Sequence, residues 1–239
     1  MKVAILGYGK MGQIIEKIAL ERGHNILLKI NLSNIDELNI ENLKKADVVI
    51  DFSTPESAKT NIILSIDANK PIISGTTGWL NDYKEVKDYC IQNNGTFLYA
   101  SNFSLGVNLF FELNKNLAKL MKKHQQYQIN LTEIHHSEKL DAPSGTAISL
   151  AEQIISESNI KNKWTLNPKN SDEELKIDAQ RKGNITGTHS VNYRSEIDSI
   201  SIIHEAHSRD GFALGAVIAA EWIISKKGVF SMHDVLFSS

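Results

Sequence analysis

The sequence has little cysteine, little net charge and no long apolar run, and each shortage excludes a class of protein. Cys90 is the one cysteine in 239 residues, so no internal disulfide can form and the cytoplasm is the expected location. The net charge of −2 gives no reason to expect nucleic acid or an anionic membrane as a partner. No apolar run reaches the roughly 18 residues of a membrane span. Met1 leads directly into predicted strand residues, so no signal peptide is expected.

A glycine-rich turn lies between a predicted strand and a predicted helix at the start of the chain. Residues 2–6 form an apolar run suited to a buried parallel strand, and helical spacing of apolar side chains begins at residue 13. Between them, Gly7, Gly9 and Gly12 give the pattern G-x-G-x-x-G, which permits a tight turn, close approach of a pyrophosphate and close packing of helix on strand. The pattern predicts a bound dinucleotide, with a glycine turn that binds nothing as the alternative.

The second predicted strand, residues 25–30, ends without the carboxylate that usually binds the adenosine ribose. Asn31 and Ser33 follow this strand and could hydrogen-bond a ribose or a 2′-phosphate, while Lys29 adds positive charge. Because a missing acid removes repulsion against the 2′-phosphate, the sequence favours NADPH, or the use of both NADPH and NADH.

Strands and helices alternate through residue 100, which favours an α/β fold with a doubly wound parallel sheet. Ligands bind such sheets beyond the carboxyl ends of the strands. The loops at that edge are residues 7–12, 51–54, 75–78 and 100–103. All four are small, polar or glycine-bearing, so we expect a cofactor cleft there, in which Gly75, Thr76 and Thr77 could reach the nicotinamide or its ribose.

The second half of the chain has a different pattern. A long helix is predicted over residues 105–121, with Leu109, Phe110, Leu113, Leu117, Leu120 and Met121 on its core face. Strands are predicted over residues 127–134, 177–179, 186–193 and 199–206, and a loop over residues 160–172. A last helix, near residues 212–225, is expected to return to the first domain. The sequence therefore predicts a Rossmann-like domain of residues 1–103 plus 212–239, with an inserted α+β domain of residues 104–211 that contains a mixed sheet.

Residues 133–147, EIHHSEKLDAPSGTA, concentrate groups that carry protons beside a helix start. His135, His136 and Lys139 can each carry or donate a proton, and Asp141 is interpreted as a turn residue. Residues 143–146 open a predicted helix, whose N-terminus attracts anions. The segment predicts a site for a small carboxylate that must also be protonated; the alternative is a strand ending in a capped helix with surface histidines.

Taken together, these segments resemble one family, the 4-hydroxy-tetrahydrodipicolinate reductases, formerly called dihydrodipicolinate reductases. The matching segments are GYGKMG at 7–12, DFSTPES at 51–57, GTTG at 75–78, ASNFSLGVN at 100–108, EIHHSEKLDAPSGTA at 133–147 and RKGNITGTH at 181–189. They run in order over nearly the whole chain, and the segment at 133–147 is the most specific. Many relatives carry an arginine where this chain has Ile218, and often a histidine where it has Glu138.

The resemblance implies reduction of a dicarboxylate with NADPH or NADH in lysine and diaminopimelate biosynthesis, by a cytoplasmic homotetramer assembled through the second domain's sheet. It implies His135 as proton donor or acceptor and Lys139 as proton donor. The residues implied to bind the substrate's carboxylates are His136, Lys139, Ser144, Gly145 and Thr146. The residues expected to contact the cofactor, with Asn31 added from its place after the second strand, are Gly7, Tyr8, Gly9, Lys10, Met11, Gly12, Asn31, Gly75, Thr76, Thr77, Ala100, Ser101, Asn102 and Phe103.

Three other classes of protein are disfavoured by these residues. A dinucleotide sensor without catalysis needs neither His135 nor Lys139. An aldehyde dehydrogenase that works by a thioester needs a cysteine nucleophile after a strand, whereas Cys90 lies on a predicted helix. A metal enzyme could use the adjacent histidines, but neighbours on a strand point to opposite faces, so no metal site is predicted.

Overall fold

The computed structural model describes residues 1–167 and 172–238. The strands in this part of the chain are β1 (Lys2–Leu6), β2 (Asn25–Ile30), β3 (Val48–Asp51), β4 (Ile72–Ser74), β5 (Thr96–Tyr99), β6 (Gln128–His135), β7 (Lys163–Thr165), β8 (Glu174–Arg181), β9 (Gly187–Arg194), β10 (Ser199–Ala206) and β11 (Gly228–Phe230). The α-helices are α1 (Lys10–Glu21), α2 (Ile40–Leu43), α3 (Pro55–Asp67), α4 (Tyr83–Gln92), α5 (Leu105–Met121), α6 (Gly145–Glu157), α7 (Asp210–Ile223) and α8 (Met232–Phe237). Two 3₁₀ turns cover Leu32–Glu37 and Leu80–Asp82. None of the helices in the described ranges is long and apolar enough to cross a lipid bilayer.

The chain forms two compact units. Residues 1–105 and the chain from residue 210 onward make the first, and residues 106–209 make the second. The sequence predicted a first domain of residues 1–103 plus 212–239 and a second domain of residues 104–211.

The first unit contains a parallel sheet with the strand order β11-β5-β4-β3-β1-β2, and every neighbouring pair is parallel. Side chains from both faces of the central strands are buried: Val3 and Ile5 pack into one core cluster and Ala4 and Leu6 into another. Burial on both faces is what a parallel sheet covered by helices requires. The predicted Rossmann-like sheet is confirmed, and β11, only three residues long, is a strand that the sequence pattern missed.

The second unit contains a mixed sheet with the order β10-β9-β6-β8-β7, in which β6 is parallel to β8 and antiparallel to β9. One face packs on α5 and α6 through Leu131, Ile177, Val191 and Tyr193. The mixed sheet is confirmed. Part of the predicted loop 160–172 is in fact the edge strand β7, whose Trp164 packs against this core, and positions 168–171 lie outside the described residues.

The buried stripe of α5 differs from the predicted one. Val107, Phe110, Asn114 and Ala118 are buried, whereas Leu109, Leu113 and Leu120 are exposed. The buried Asn114 explains which face of α5 is buried, because its side-chain amide donates hydrogen bonds to the Leu150 carbonyl and the Gln153 side chain. An internal polar contact and small side chains thus bring α5 close to α6, and the larger leucines face outward.

Helix α7 approaches the loop after β5 so closely that one glycine is required. A Cβ at Gly215 would lie 1.7 Å from the carbonyl oxygen of Phe103, whereas a Cβ at Gly211 of the same helix would meet the Ser104 hydroxyl at an ordinary 3.6 Å. Backbone atoms cannot move aside as a flexible side chain can, so only Gly215 is constrained.

We expect Gly215→Ala to lower the free energy of unfolding by about 1–3 kcal/mol or more, the scale of overpacking in a core. Gly211→Ala, the matched control, should be neutral or stabilising by up to about 1 kcal/mol, since alanine favours the helix over glycine. Urea unfolding followed by circular dichroism measures both. Equal stability of the two variants would contradict this account of the helix contact.

Candidate active site

The glycine loop between β1 and α1 has the geometry of a phosphate-binding turn. Gly7 has a φ of 86°, and a Cβ there would lie 2.1 Å from the Phe52 carbonyl oxygen. A Cβ at Gly12 would lie 2.7 Å from the Gly7 carbonyl oxygen, so helix and turn meet without a side chain between them. At Gly9 a Cβ would meet nothing within 4 Å. The backbone therefore remains open to a ligand at Gly9, beside the start of a helix that attracts anions.

A cavity of about 620 Å³ lies between this loop and the end of β2. Its walls include Tyr8, Gly9, Asn31, Ser33 and Phe52. The volume falls in the range of sites for small molecules and cofactors, roughly 300–1,000 Å³. The Asn31 side-chain oxygen already accepts hydrogen bonds from the Ser33 N–H and hydroxyl, at 2.8 and 2.6 Å. Asn31 thus shapes the turn after β2, and its contact with a ribose stays a prediction.

Lys29, expected to add positive charge near the ribose, forms a cluster with Tyr8 and Glu16. Its ammonium group lies 3.1 Å from Glu16 Oε1 and 5.0 Å from the centre of the Tyr8 ring, and the Tyr8 hydroxyl donates to Glu16. The hydrogen bond from Tyr8, followed by the contact with Lys29, lowers the pKa of Glu16. Glu16 therefore stays ionised and partly compensates the charge of Lys29. The sequence pattern did not reveal this pairing.

Asp51, at the carboxyl end of β3, joins the loops of neighbouring strands. It is fully buried and accepts hydrogen bonds from Ser53, Asn61, Ser74 and Thr76, at 2.6–3.0 Å. Burial raises the pKa of Asp51, and the four hydrogen bonds oppose that rise. Because the Thr76 hydroxyl also accepts from the Ser53 N–H, it holds two loops together, and contact of Thr76 with a cofactor stays a prediction.

The other residues expected at this edge divide into buried and exposed groups. A Cβ at Gly75 would lie 2.4 Å from the Phe52 ring, which in turn packs at 5.6 Å on Phe103. Phe103 is 2% exposed and Ala100 is 9% exposed, so both belong to the core. The side chains of Lys10, Thr77 and Ser101 are exposed, those of Met11 and Asn102 are half-buried, and Asn102 accepts a hydrogen bond from the Ser104 N–H.

In the second unit, strand register brings four polar side chains to one face of the sheet. Glu133 and His135 are two residues apart on β6 and so share a face. Glu133 is opposite His189 on β9, and His135 is opposite Arg181 on β8. The alternation along β6 therefore places Glu133, His135, His189 and Arg181 together, and His136 outside this group.

Glu133 is at the centre of this group. Its side chain is fully buried; Oε1 accepts hydrogen bonds from the Ser144 N–H at 3.0 Å and from Arg181 at 3.1 Å, and Oε2 lies 2.8 Å from His135 Nδ1. Burial alone would raise the pKa of Glu133, but His135, Ser144 and Arg181 outweigh it and lower the pKa to about 2. The site therefore contains a fixed negative charge beneath the start of α6.

The start of α6 is held from two sides. Ser144 is the N-cap: its hydroxyl accepts from the Ala147 N–H at 3.2 Å and lies 3.1 Å from His189 Nε2. Gly145, the first helical residue, is exposed, and Thr146 is half-buried. A capped helix start with an exposed first residue is suited to a carboxylate.

Lys139 lies in the loop between β6 and α6 and pairs with Asp141. The ammonium group is 2.7 and 2.9 Å from the two Asp141 carboxylate oxygens, and this pairing lowers the pKa of Asp141. Interpreting Asp141 as a turn residue alone was therefore wrong: the turn brings it back onto Lys139. Arg181 donates to the carbonyl oxygens of both residues, so the same guanidinium that binds Glu133 also fixes this loop.

Sequence reasoning missed Glu133, Arg181 and His189 as members of the site. Two signals could have found them: the alternation that places Glu133 on the face of His135, and the segment 181–189, whose ends supply Arg181 and His189. Within the described ranges, Glu133, His135 and His189 also offer three ligand atoms that lie within 4.8 Å of one another and could hold a metal ion. The prediction of no metal site considered only the adjacent histidines His135 and His136, and did not consider His135 with Glu133 and His189.

Comparison with known proteins agrees with this architecture. The family model described as dihydrodipicolinate reductase, N-terminus, matches residues 1–103, and that described as dihydrodipicolinate reductase, C-terminus, matches residues 106–236. A 4-hydroxy-tetrahydrodipicolinate reductase of Christiangramia forsetii is 48% identical over 99% of this chain and 98% of its own length. One of Rickettsia rickettsii is 35% identical over 95% of each. The solved structure titled dipicolinate bound dihydrodipicolinate reductase from Paenisporosarcina sp. TG-14 has the same fold, with a TM-score of 0.79 at 22% identity over 99% of both chains.

The buried His189 predicts a pH dependence of stability. Burial, and then the neighbouring His135, lower the pKa of His189 to about 4 from its ordinary 6.5. Between these pH values the unfolded chain binds a proton at residue 189 that the folded chain does not. The contribution of His189 to stability is therefore complete above pH 6.5 and is lost toward pH 4, by about 1.4 kcal/mol per pH unit at most. Urea unfolding at pH 4.5–7 in a chelator should show this slope in the wild type and a smaller one in His189→Gln. An identical slope in both would contradict it.

Proposed function

Because the chain belongs to the dihydrodipicolinate reductase family, we propose that it reduces 4-hydroxy-tetrahydrodipicolinate to tetrahydrodipicolinate with a nicotinamide cofactor, in lysine and diaminopimelate biosynthesis. The observation that supports this best is the fold of residues 133–147. One segment supplies a proton carrier in His135, a cation in Lys139 and the capped start of α6 at Ser144. Reduction of a dicarboxylate needs these three components, one to supply a proton and two to bind the carboxylates.

The substrate's two carboxylates have separate partners in this proposal. The start of α6, with Ser144, Gly145 and Thr146, receives one carboxylate through backbone N–H groups and the favourable end of the helix dipole. Lys139 and the half-buried His136 receive the other through charge-assisted hydrogen bonds. The Asp141 carboxylate, which pairs with Lys139 in this structure, gives way to the substrate's carboxylate.

The reaction adds a hydride and a proton to a conjugated C=C–C=N system. The hydride comes from the reduced nicotinamide, and the electron pair displaced along the conjugated system takes up a proton from the protein. Lys139 is the donor that we favour, because its side chain is 21% exposed and that of His135 only 10%. His135, next to the ionised Glu133, accompanies it as a second proton carrier. A positioned acid of this kind contributes roughly 10² to 10⁴-fold to rate.

The first unit binds the cofactor in this proposal, through the glycine loop and the carboxyl edge of its sheet. Membership of the family implies that the reductase uses a nicotinamide cofactor. We propose that it uses both NADPH and NADH, with NADPH favoured. No acid stands directly after β2, where it would repel a 2′-phosphate, and Lys29 lies beside the Tyr8 wall of the cavity. The pairing of Lys29 with Glu16 makes the expected preference small.

We also infer a homotetramer assembled through the outer face of the second unit's sheet. This face carries Asn130, Thr132, Ser190 and Asn192, half-buried or exposed, and Ile203 is 65% exposed at its edge. Location in the cytoplasm stays a prediction that rests on the single cysteine, Cys90, which is buried.

A coupled assay tests the proposed reaction. The condensation product of aspartate semialdehyde and pyruvate is made in place, and oxidation of NADPH or NADH is followed at about 340 nm. We expect oxidation that requires both the condensing enzyme and this protein, with NADPH moderately more efficient. Folded protein that binds a nicotinamide cofactor but oxidises neither would refute the proposed substrate.

Substitutions at the proposed proton carriers separate their roles. Lys139→Ala should lower kcat strongly and raise KM for the substrate, since Lys139 serves binding and protonation. His135→Gln should lower kcat by roughly 10²-fold and leave the affinity for the cofactor unchanged. Lys115→Ala, which removes an exposed lysine of α5, is the control and should behave as wild type. Wild-type kinetics in Lys139→Ala would remove it from the mechanism.

A further inference from the structure

Glu133, His135 and His189 together offer ligand atoms for a metal ion, and the proposed reductase chemistry makes no use of a metal. Glu133 Oε2 lies 2.8 Å from His135 Nδ1 and 3.8 Å from His189 Nε2. One ligand atom from each of the three residues lies within 4.8 Å of those of the other two. Donor atoms on bonds of about 2.0–2.1 Å around tetrahedral zinc are about 3.3 Å apart. Small rotations of the two imidazole rings would therefore bring the set to the geometry of a metal site.

The atoms that face this point have few polar contacts beyond those with one another. The three side chains are 0%, 8% and 4% exposed. Glu133 Oε2 and His135 Nδ1 contact each other at 2.8 Å as an ion pair, and among the residues that the structure describes neither atom has a further hydrogen-bond partner. Buried polar atoms ordinarily have hydrogen-bond partners, so two that have only each other leave bonding capacity that a ligand can use.

The donor types and their surroundings specify the kind of ion. Two imidazoles and one carboxylate are ligands preferred by zinc and by its neighbours in the first transition row, and three protein ligands leave one position open. The Ser144 N–H and Arg181 hold Glu133 Oε1, which leaves Oε2 directed at the two rings. The positive charge of Arg181 opposes a second cation nearby, so binding should be reversible.

We propose that Glu133, His135 and His189 bind a first-row transition-metal dication such as Zn²⁺, and that the bound ion inhibits the enzyme. Inhibition follows because the ion takes His135 and draws His189 away from the Ser144 hydroxyl, and so disturbs both the proton carrier and the cap of α6. The statement about inhibition rests on the proposed function; the statement about binding does not.

The binding is tested on the full chain after removal of metal with a chelator. Calorimetry with Zn²⁺, and the visible absorption of added Co²⁺, should show one tightly held equivalent in four-coordinate nitrogen and oxygen ligands. His189→Gln should lower the affinity at least tenfold and abolish the four-coordinate cobalt spectrum. His124→Gln, which removes an exposed histidine outside the cluster, is the matched control and should bind as wild type.

The results distinguish the two statements. Absence of saturable binding in the wild type, or unchanged binding in His189→Gln, would overturn the metal site. If His189→Gln does not fold, as judged by circular dichroism, His135→Gln replaces it with the same expected loss.

Once binding is shown, Zn²⁺ at saturation should abolish most NADPH oxidation in the coupled assay, reversibly on chelation; full activity would overturn the inhibition alone. A wild type inactive without metal would refute the proposed function and leave the binding result standing.

Discussion

The second unit depends on one buried charge. Removing the Glu133 carboxylate from water costs several kcal/mol, and the protein offsets this cost with Arg181, the Ser144 N–H and the adjacent His135. Each partner comes from a different element, so satisfying the charge fixes β6, β8 and the start of α6 relative to one another. Since Arg181 also binds the carbonyl oxygens at 139 and 141, the loop that carries Lys139 is fixed by the same interaction.

The first unit uses the same principle through the buried, hydrogen-bonded carboxyl group of Asp51 and through close backbone contacts. Asp51 joins the loops after β3 and β4, while Gly7 and Gly75 allow the Phe52 segment to lie directly against them. These contacts leave Gly9 and the cavity beside Tyr8 open. In both units, then, buried polar groups hold in place the loops that we propose as binding sites.

Local patterns predicted much of this fold, and long-range contacts explain what they missed. The limits of β2, α5 and β10 agree with the sequence, because period and composition alone determine them. By contrast, β7 and β11 are too short to show a period, and the buried stripe of α5 depends on Asn114 finding partners on α6. The same holds for the site: residues 133–147 are adjacent in sequence, whereas Arg181 and His189 enter only through strand register.

The most direct measurement compares Glu133→Gln with Glu138→Gln, an exposed glutamate of the same segment. Glutamine keeps the shape of residue 133 but removes the charge that Arg181 and Ser144 bind. If this charge organises the site, Glu133→Gln should lower stability by about 1–3 kcal/mol and reduce kcat/KM in the coupled assay at least about tenfold, with the affinity for NADPH unchanged. Wild-type stability and kinetics in Glu133→Gln, matching those of Glu138→Gln, would contradict the central claim.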